Sequence, residues 1–129
     1  MAATVEITQV VEVIGLAGGD DVCVTKFTHS STPTEIVKGK PIIANTAVTL
    51  DLGDIAAGSG FVLYIEALVG NVYVLLNATS GTPVSTTAEL YIREGTGYVL
   101  PINPNATAMA GIRLVSDSAT GQIKYMLVG

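Results

Sequence analysis

The sequence has few of the residues that build catalytic or metal sites. Its 129 residues include one cysteine, one histidine and no tryptophan. One Cys and one His cannot supply the four ligands of a zinc site, and a lone Cys cannot form a disulfide within the chain. A nucleophile needs a positioned base, yet His29 lies directly beside Ser30 and Ser31, where neighbouring side chains rarely form such a pair. We therefore expect a solvated loop histidine, a core thiol at Cys23, and no enzymatic activity.

Charge is also scarce, and positive charge most of all. Only 13% of residues are charged, and six Lys plus Arg stand against eleven Asp plus Glu, which gives a net charge of −5. No basic run occurs, which argues against nucleic acid and anionic membranes as partners, because both recruit clustered cations. The longest apolar run, 61–76, is interrupted by Glu66, Gly70 and Asn71 and falls short of the ~20 residues of a spanning helix. No signal peptide precedes it, so we expect a soluble protein made in a cytoplasm.

Apolar residues are abundant, but few are aromatic. Hydrophobic residues make up 49% of the chain and aromatic residues 5%, so Val, Ile, Leu and Ala must build the core. A chain of this length favours one domain, residues 1–129, that buries roughly two thirds of the surface of its unfolded form. The low charge leaves little solvating surface for a monomer, which predicts a homo-oligomer.

Period-two alternation of apolar and polar residues runs through most of the chain. In the first segment, Val5, Ile7, Val11 and Val13 alternate with polar neighbours, as in a strand with one wet face. Helix signals are almost absent, and residues 29–40 are predicted to be an exposed loop. We predict an all-β fold of about eight or nine strands, a β-sandwich that is jelly-roll-like, although an immunoglobulin-like sandwich fits nearly as well. The predicted strands cover 4–14, 22–28, 46–52, 61–68, 72–76, 84–93, 98–102, 110–116 and 122–128.

The segment 60–77, GFVLYIEALVGNVYVLLN, is the most apolar part of the chain. Gly70 and Asn71 tolerate positive φ, so they predict a tight turn and a β-hairpin. The strands hardly alternate, which predicts that both faces are covered. Glu66 is the one acid embedded in this segment, and we expect it to have a buried partner, with Arg93, Arg113 and Lys124 as candidates. A second hairpin is predicted from residues 110–116 and 122–128.

Acidic residues in two turns are the remaining candidates for a metal site. Asp20 and Asp21 lie in one turn, and Asp51 and Asp54 flank Gly53 in another; calcium uses such oxygen ligands. Neither turn has EF-hand spacing, and acidic turn residues commonly cap the backbone, so we predict no metal and no cofactor. The five tyrosines all fall in predicted strands, where packing is their default role.

The whole chain, most clearly GFVLYIEALVGNVYVLLN and the closing AGIRLVSDSATGQIKYMLVG, resembles the small accessory virion proteins of tailed bacteriophages, especially head decoration (cement) proteins. The resemblance includes no diagnostic motif, so no residue roles carry over. It implies a β-sandwich or jelly roll, often a trimer, that binds the assembled shell of major capsid protein and stabilises it. The protein would be made in the host cytoplasm and end on the capsid surface of the virion.

Several alternatives remain open at this stage. Residues 1–8 are either an extended arm that adds a strand to a neighbouring sheet edge or the first strand of the sandwich itself. The function is either capsid decoration or recognition of carbohydrate or a host surface by a phage tail or fibre module, which predicts a groove lined by Tyr side chains. A small cupin-like enzyme is a third class, but the single histidine argues against it.

Overall fold

A computed structural model describes residues 5–15, 21–29, 35–55, 62–101 and 111–129. The chain divides into two compact units, Met1–Thr34 and Glu35–Gly129, which we call the hairpin unit and the main unit. The described residues contain ten strands and no helix, and every strand pair is antiparallel, so the all-β prediction is confirmed. The assignment of 1–129 to a single domain stays a prediction.

The hairpin unit contains two paired strands, β1 (Val5–Val13) and β2 (Asp21–His29). Val5 lies opposite His29 at one end of the ladder and Val13 opposite Asp21 at the other. The prediction of the first two strands from the alternating sequence is thus confirmed. Of the predicted arm, residues 5–8 lie in β1, and residues 1–4 fall outside the described residues.

The main unit contains two four-stranded antiparallel sheets, neither of which closes into a barrel. We call them the β5 sheet, with strand order β3-β10-β5-β8, and the β6 sheet, with order β4-β9-β6-β7. The strands are β3 (Ile36–Gly39), β4 (Val48–Thr49), β5 (Val62–Val69), β6 (Val72–Leu76), β7 (Leu90–Ile92), β8 (Gly97–Pro101), β9 (Ile112–Ser116) and β10 (Gln122–Val128).

Strand pairing in the main unit is nested. The strand β6 pairs with β7, β5 with β8, β4 with β9, and β3 with β10. The chain therefore runs as one long antiparallel ribbon that reverses between β6 and β7. Two further pairings, β5 with β10 and β6 with β9, join turns of this ribbon and complete the two sheets.

The predicted hairpin of residues 60–77 is wrong. The strands β5 and β6 follow each other directly but lie in different sheets, so they form a β-arch rather than a hairpin. Gly70, with φ of 73°, allows the sharp reversal, as predicted, but the hydrogen bonds of each strand go to other partners. Both strands carry a continuous apolar face, and the arch directs these faces into the core, which a flat hairpin would not do.

The predicted closing hairpin is wrong for the same reason. The strand β9 belongs to the β6 sheet and β10 to the β5 sheet. The two arches lie against each other, because β5 pairs with β10 while β6 pairs with β9. The segments 70–76 (GNVYVLL) and 121–127 (GQIKYML) are similar in sequence, and they occupy equivalent positions in the two arches, each leading from a bend into a core strand.

One hydrophobic core receives side chains from both sheets. Leu63 and Ile65 of β5, Val74 of β6, Leu114 of β9 and Ile123 of β10 are completely buried. On the opposite face of β5, Val62 is buried and the next outward side chains are half-buried. The inner face of this strand is thus covered, whereas the outer face is only partly covered, and the prediction that both faces are covered is not confirmed.

Three local predictions differ from the structure. The predicted loop 29–40 contains the edge strand β3, whose four residues are too short to show a clear period. The strand predicted at 84–93 is reduced to β7, because a turn precedes it in which Val84 O accepts bonds from the amides of Thr87 and Ala88. The strand predicted at 46–52 is reduced to the two residues of β4.

Candidate functional site

Two tyrosines lie side by side on the outer face of the β6 sheet. Tyr73 of β6 is directly opposite Tyr91 of β7, and their ring centroids are 5.2 Å apart with planes inclined by 40°. The alternation of each strand places them there, since Val72 and Val74 flank Tyr73 and point into the core. The rings therefore face away from the core, and Tyr91 is 44% exposed.

These rings form one wall of a shallow recess. Its volume is about 320 Å³, and Ser85 and Ala88 complete its lining. The turn that carries them is held by Val84, whose amide donates to Thr87 Oγ1 at 3.0 Å and whose carbonyl accepts from Ala88 N at 2.8 Å. The lining contains two phenol rings and the Ser85 hydroxyl but no charged group. Such a surface suits a neutral ligand with an apolar face and hydroxyl groups.

A larger cleft lies along the β3 and β4 edges of the main unit. It has a volume of about 540 Å³ and a mainly apolar lining. At its floor, the Tyr125 hydroxyl donates a hydrogen bond to the Asp51 carbonyl at 2.8 Å. Burial, with a smaller effect of the Asp51 charge, raises the pKa of Tyr125. At its rim, the Ile42 side chain is 72% exposed. The lining segments are 39–43 and 48–51, with Leu114 and Tyr125.

The bends of the two arches are joined by a cluster of polar side chains. Asp117 accepts hydrogen bonds from the backbone amide of Asn71 at 2.9 Å and from its side-chain amide at 2.7 Å. The Asn71 side-chain oxygen accepts from Glu94 N, and Glu94 Oε2 accepts from Gly70 N at 2.7 Å. Both carboxylates thus satisfy backbone donors at a bend, which is a structural task. Among the described residues, no group of three His, Cys, Asp or Glu is arranged to hold a metal ion.

Glu66 has a different hydrogen-bond partner from the ones predicted. The Tyr64 hydroxyl donates to Glu66 Oε2 at 2.5 Å on the outer face of the β5 sheet. This bond, then burial and the Glu66 charge, raises the pKa of Tyr64. Of the three predicted cations, Lys124 lies directly across from Glu66 on β10. Arg113 instead donates to Gly81 O, Thr49 Oγ1 and Ala47 O, which anchors the edge of the β6 sheet.

The remaining predicted residues do not come together. Cys23 lies in β2 but is exposed, so its interpretation as a core residue is wrong. His29 is the last residue of β2 and not a loop residue. Asp51 Oδ1 accepts a bond from Gly53 N at 2.8 Å, the capping role expected of an acidic turn residue. In the other acidic turn, residue 20 and the side chain of Asp21 lie outside the described residues.

The tyrosine recess is the feature that the sequence interpretation missed. Tyr91 alternates together with Glu89 and Arg93, so the sequence pattern already placed it on the solvent-facing side of its strand. The partnership with Tyr73 depends on the β6–β7 register, which no local pattern reveals. Within the described ranges there is no helix with the length and apolar character needed to cross a membrane. Comparison of the chain with protein-family models, curated proteins and solved structures found no match.

Proposed function

We propose that the main unit is a β-sandwich with jelly-roll connectivity. Two observations support this proposal: side chains from both four-stranded sheets meet in one core, and the strands pair in a nested order. A ribbon of eight strands rolled into two sheets is the jelly-roll arrangement, which occurs in viral capsid proteins, lectins and cupins. The fold class alone does not select among these functions, so the selection must come from the surfaces.

We propose further that the protein is a non-enzymatic structural protein of a virion, which binds an assembled capsid as a decoration or cement protein. The observation that carries this is the exposure of apolar side chains on the hairpin unit: Val10 is 57%, Val11 64% and Val24 60% exposed. A two-stranded hairpin is at best marginally stable in water unless another surface covers it. Exposed valines on both faces of such a hairpin suit an element that docks onto another protein.

Binding across the seams of a shell would stabilise the assembled state by mass action. The partner in this proposal is the shell of major capsid protein, and the low charge of the chain favours a homo-oligomer, a trimer by analogy with cement proteins. Residues of the hairpin unit would supply the contact with the shell or with neighbouring copies. Localisation on the capsid surface follows from the same proposal.

The test is co-sedimentation with expanded phage heads that lack their accessory protein. We expect the purified protein to pellet with the heads and the double variant Val10→Thr, Val24→Thr to bind about tenfold more weakly, since burying a valine contributes up to ~1.5 kcal/mol. Thr keeps the β-branched shape, so the hairpin should persist. Val84→Thr, at a residue that is 46% exposed in the main unit, is the matched control. Failure of the unaltered protein to pellet, or a strictly monomeric mass, would contradict the proposal.

A second candidate is carbohydrate recognition by a tail or fibre module, and the tyrosine recess favours it. The tilted pair Tyr73 and Tyr91 offers aromatic faces to the apolar side of a sugar ring, and Ser85 offers a hydroxyl. On a glycan array we expect retention that is lost in Tyr91→Ala. Met126→Ala is the control, because Met126 is similarly exposed, at 38%, and lies in β10 of the other sheet. Equal loss in both variants, or no retention, would exclude this candidate.

A further inference from the structure

Three of the six cationic residues of the chain converge on one edge of the β5 sheet. Lys38 and Lys40, at the end of β3, and Lys124, on β10, line a recess of about 420 Å³ together with Gly39 and Tyr125. Gly39 lies opposite Tyr125, so the next position along, Lys40, is brought opposite Lys124. Like charges placed opposite each other on adjacent strands repel, and Glu66, which lies opposite Lys124 on the other side of β10, offsets only one of the three positive charges. An anionic group in this recess would relieve the repulsion.

The same edge offers backbone groups to a further strand. Among the described strands, β3 has a neighbour on one side only, β10. Glu35 and Gly129 exchange both of their backbone hydrogen bonds, so alternation directs the N–H and C=O groups of Ile36 and Lys38 away from β10. Ile36 is 59% exposed on this edge, and Lys38 is exposed as well. The edge therefore presents unpaired donors and acceptors beside one apolar and two cationic side chains.

We propose that β3 accepts an acidic, extended segment of a different protein as an additional strand. In an antiparallel pair, directly opposite residues lie on the same face of the sheet. Two carboxylates of the added strand, two residues apart, would therefore lie opposite Lys40 and Lys38. An apolar residue two positions further along that strand would lie opposite Ile36. The recognised pattern is acid-x-acid-x-apolar, with the segment antiparallel to β3, as in every other pairing of this sheet.

A second copy of the chain does not fit as the occupant. Two β3 edges side by side would place lysine against lysine, which disfavours pairing. The sequence also contains no two acidic residues separated by a single position, so no segment of it can present two carboxylates to Lys38 and Lys40 in one strand. The partner is therefore a different polypeptide. The inference holds whether or not that partner is a capsid, so it does not depend on the proposed function.

The experiment uses the full chain and a labelled peptide of alternating threonines, with glutamate at the second and fourth positions and valine at the sixth. We expect saturable binding by fluorescence anisotropy, about fivefold to tenfold weaker when both glutamates are glutamines, because two exposed ion pairs are lost. Binding should fall in the double variant Lys38→Gln, Lys40→Gln. Lys26→Gln with Arg93→Gln is the control that removes the same charge elsewhere.

N-methylation of the peptide separates strand addition from simple charge attraction. A methyl group on the glutamate amides, which would face β3, should abolish binding, while a methyl group on the threonine amides, which face away, should leave it unchanged. Equal binding by both methylated peptides, no binding at millimolar peptide, or equal loss in the control variant would overturn the proposal. A changed oligomeric state of the lysine double variant without peptide would assign the edge to a second copy and overturn it as well.

Discussion

The hairpin unit and the main unit use similar sequences in opposite ways. Both contain consecutive Val-rich strands separated by Gly-containing segments, yet β1 pairs with β2, whereas β5 and β6 separate into different sheets. In the main unit Leu63 and Ile65 are fully buried, while in the hairpin unit Val10 and Val11 are more than half exposed. The difference shows that the availability of a second sheet, not the local turn, decides whether consecutive strands pair with each other.

The largest expected effect comes from truncating the core of the main unit. Leu63→Ala removes a completely buried side chain and should lower the free energy of unfolding by about 2–5 kcal/mol. Val11→Thr, at a residue that is 64% exposed in the hairpin unit, should change it by less than about 0.5 kcal/mol. Urea denaturation of both variants measures the contrast. Equal losses would contradict the exposure of Val11.

A smaller effect is expected from adding a methyl group at two glycines. A Cβ at Gly121 would lie 2.2 Å from Cβ and Oγ of Ser116, so Gly121→Ala forces open the bend between β9 and β10 and should cost about 1–3 kcal/mol. Gly15, in the hairpin unit, has φ of 83° but nothing within 4 Å of its added Cβ, so Gly15→Ala meets backbone strain alone and should cost about 1 kcal/mol. Thermal midpoints of the two variants test this order. A harmless Gly121→Ala would show that the bend between β9 and β10 can widen without loss of stability.

High pH should weaken the main unit through its buried phenol. The pKa of Tyr125 is raised above its ordinary 10.0, so the unfolded chain ionises first. The resulting stability is fully present below pH ~10 and is lost as the pH rises through the raised pKa. Tyr125→Phe should remove part of this decline and, by losing the bond to Asp51, should cost about 1 kcal/mol at pH 7. Tyr64, whose pKa is also raised, should contribute to the remaining decline. Urea denaturation midpoints of the unaltered protein and of Tyr125→Phe, measured between pH 8 and 11, check how steeply stability falls with pH.

The smallest effect is expected from the ion pair of the hairpin unit. Lys26 Nζ lies 3.1 Å from Glu6 Oε2, but the two side chains are 59% and 56% exposed. Glu6→Gln should therefore change the opening free energy of β1, measured by amide hydrogen exchange, by less than about 0.5 kcal/mol. This difference should vanish in high salt. A larger change would show that another surface buries the pair.

The sequence predicts strand existence better than strand pairing. The strands β1, β5 and β10 follow from strict alternation or from unbroken apolar runs. The short strand β3 does not, because four residues give no reliable period. A Gly-Asn bend is compatible with a hairpin and with an arch, and the choice depends on β9 and β10, which lie far along the chain. The candidate sites are harder to predict than the strands. Tyr73 and Tyr91 come together only through the register between their strands, and the same is true of Lys38 and Lys124.

The nested pairing also bears on how the main unit folds. The pair β6–β7 joins strands close in sequence, whereas β3–β10 joins Val37 and Leu127, near opposite ends of the unit. If the inner pair forms first, it shortens the loop that each outer pair must close. The four pairs can then form in order from the inside outward, and the entropic cost of loop closure is divided over four steps. The high contact order still predicts folding in milliseconds to seconds, with the amides of Val72 and Ile92 protected from hydrogen exchange before Val37 in a pulse-labelling experiment. Simultaneous protection would indicate that the sheets form in one concerted collapse.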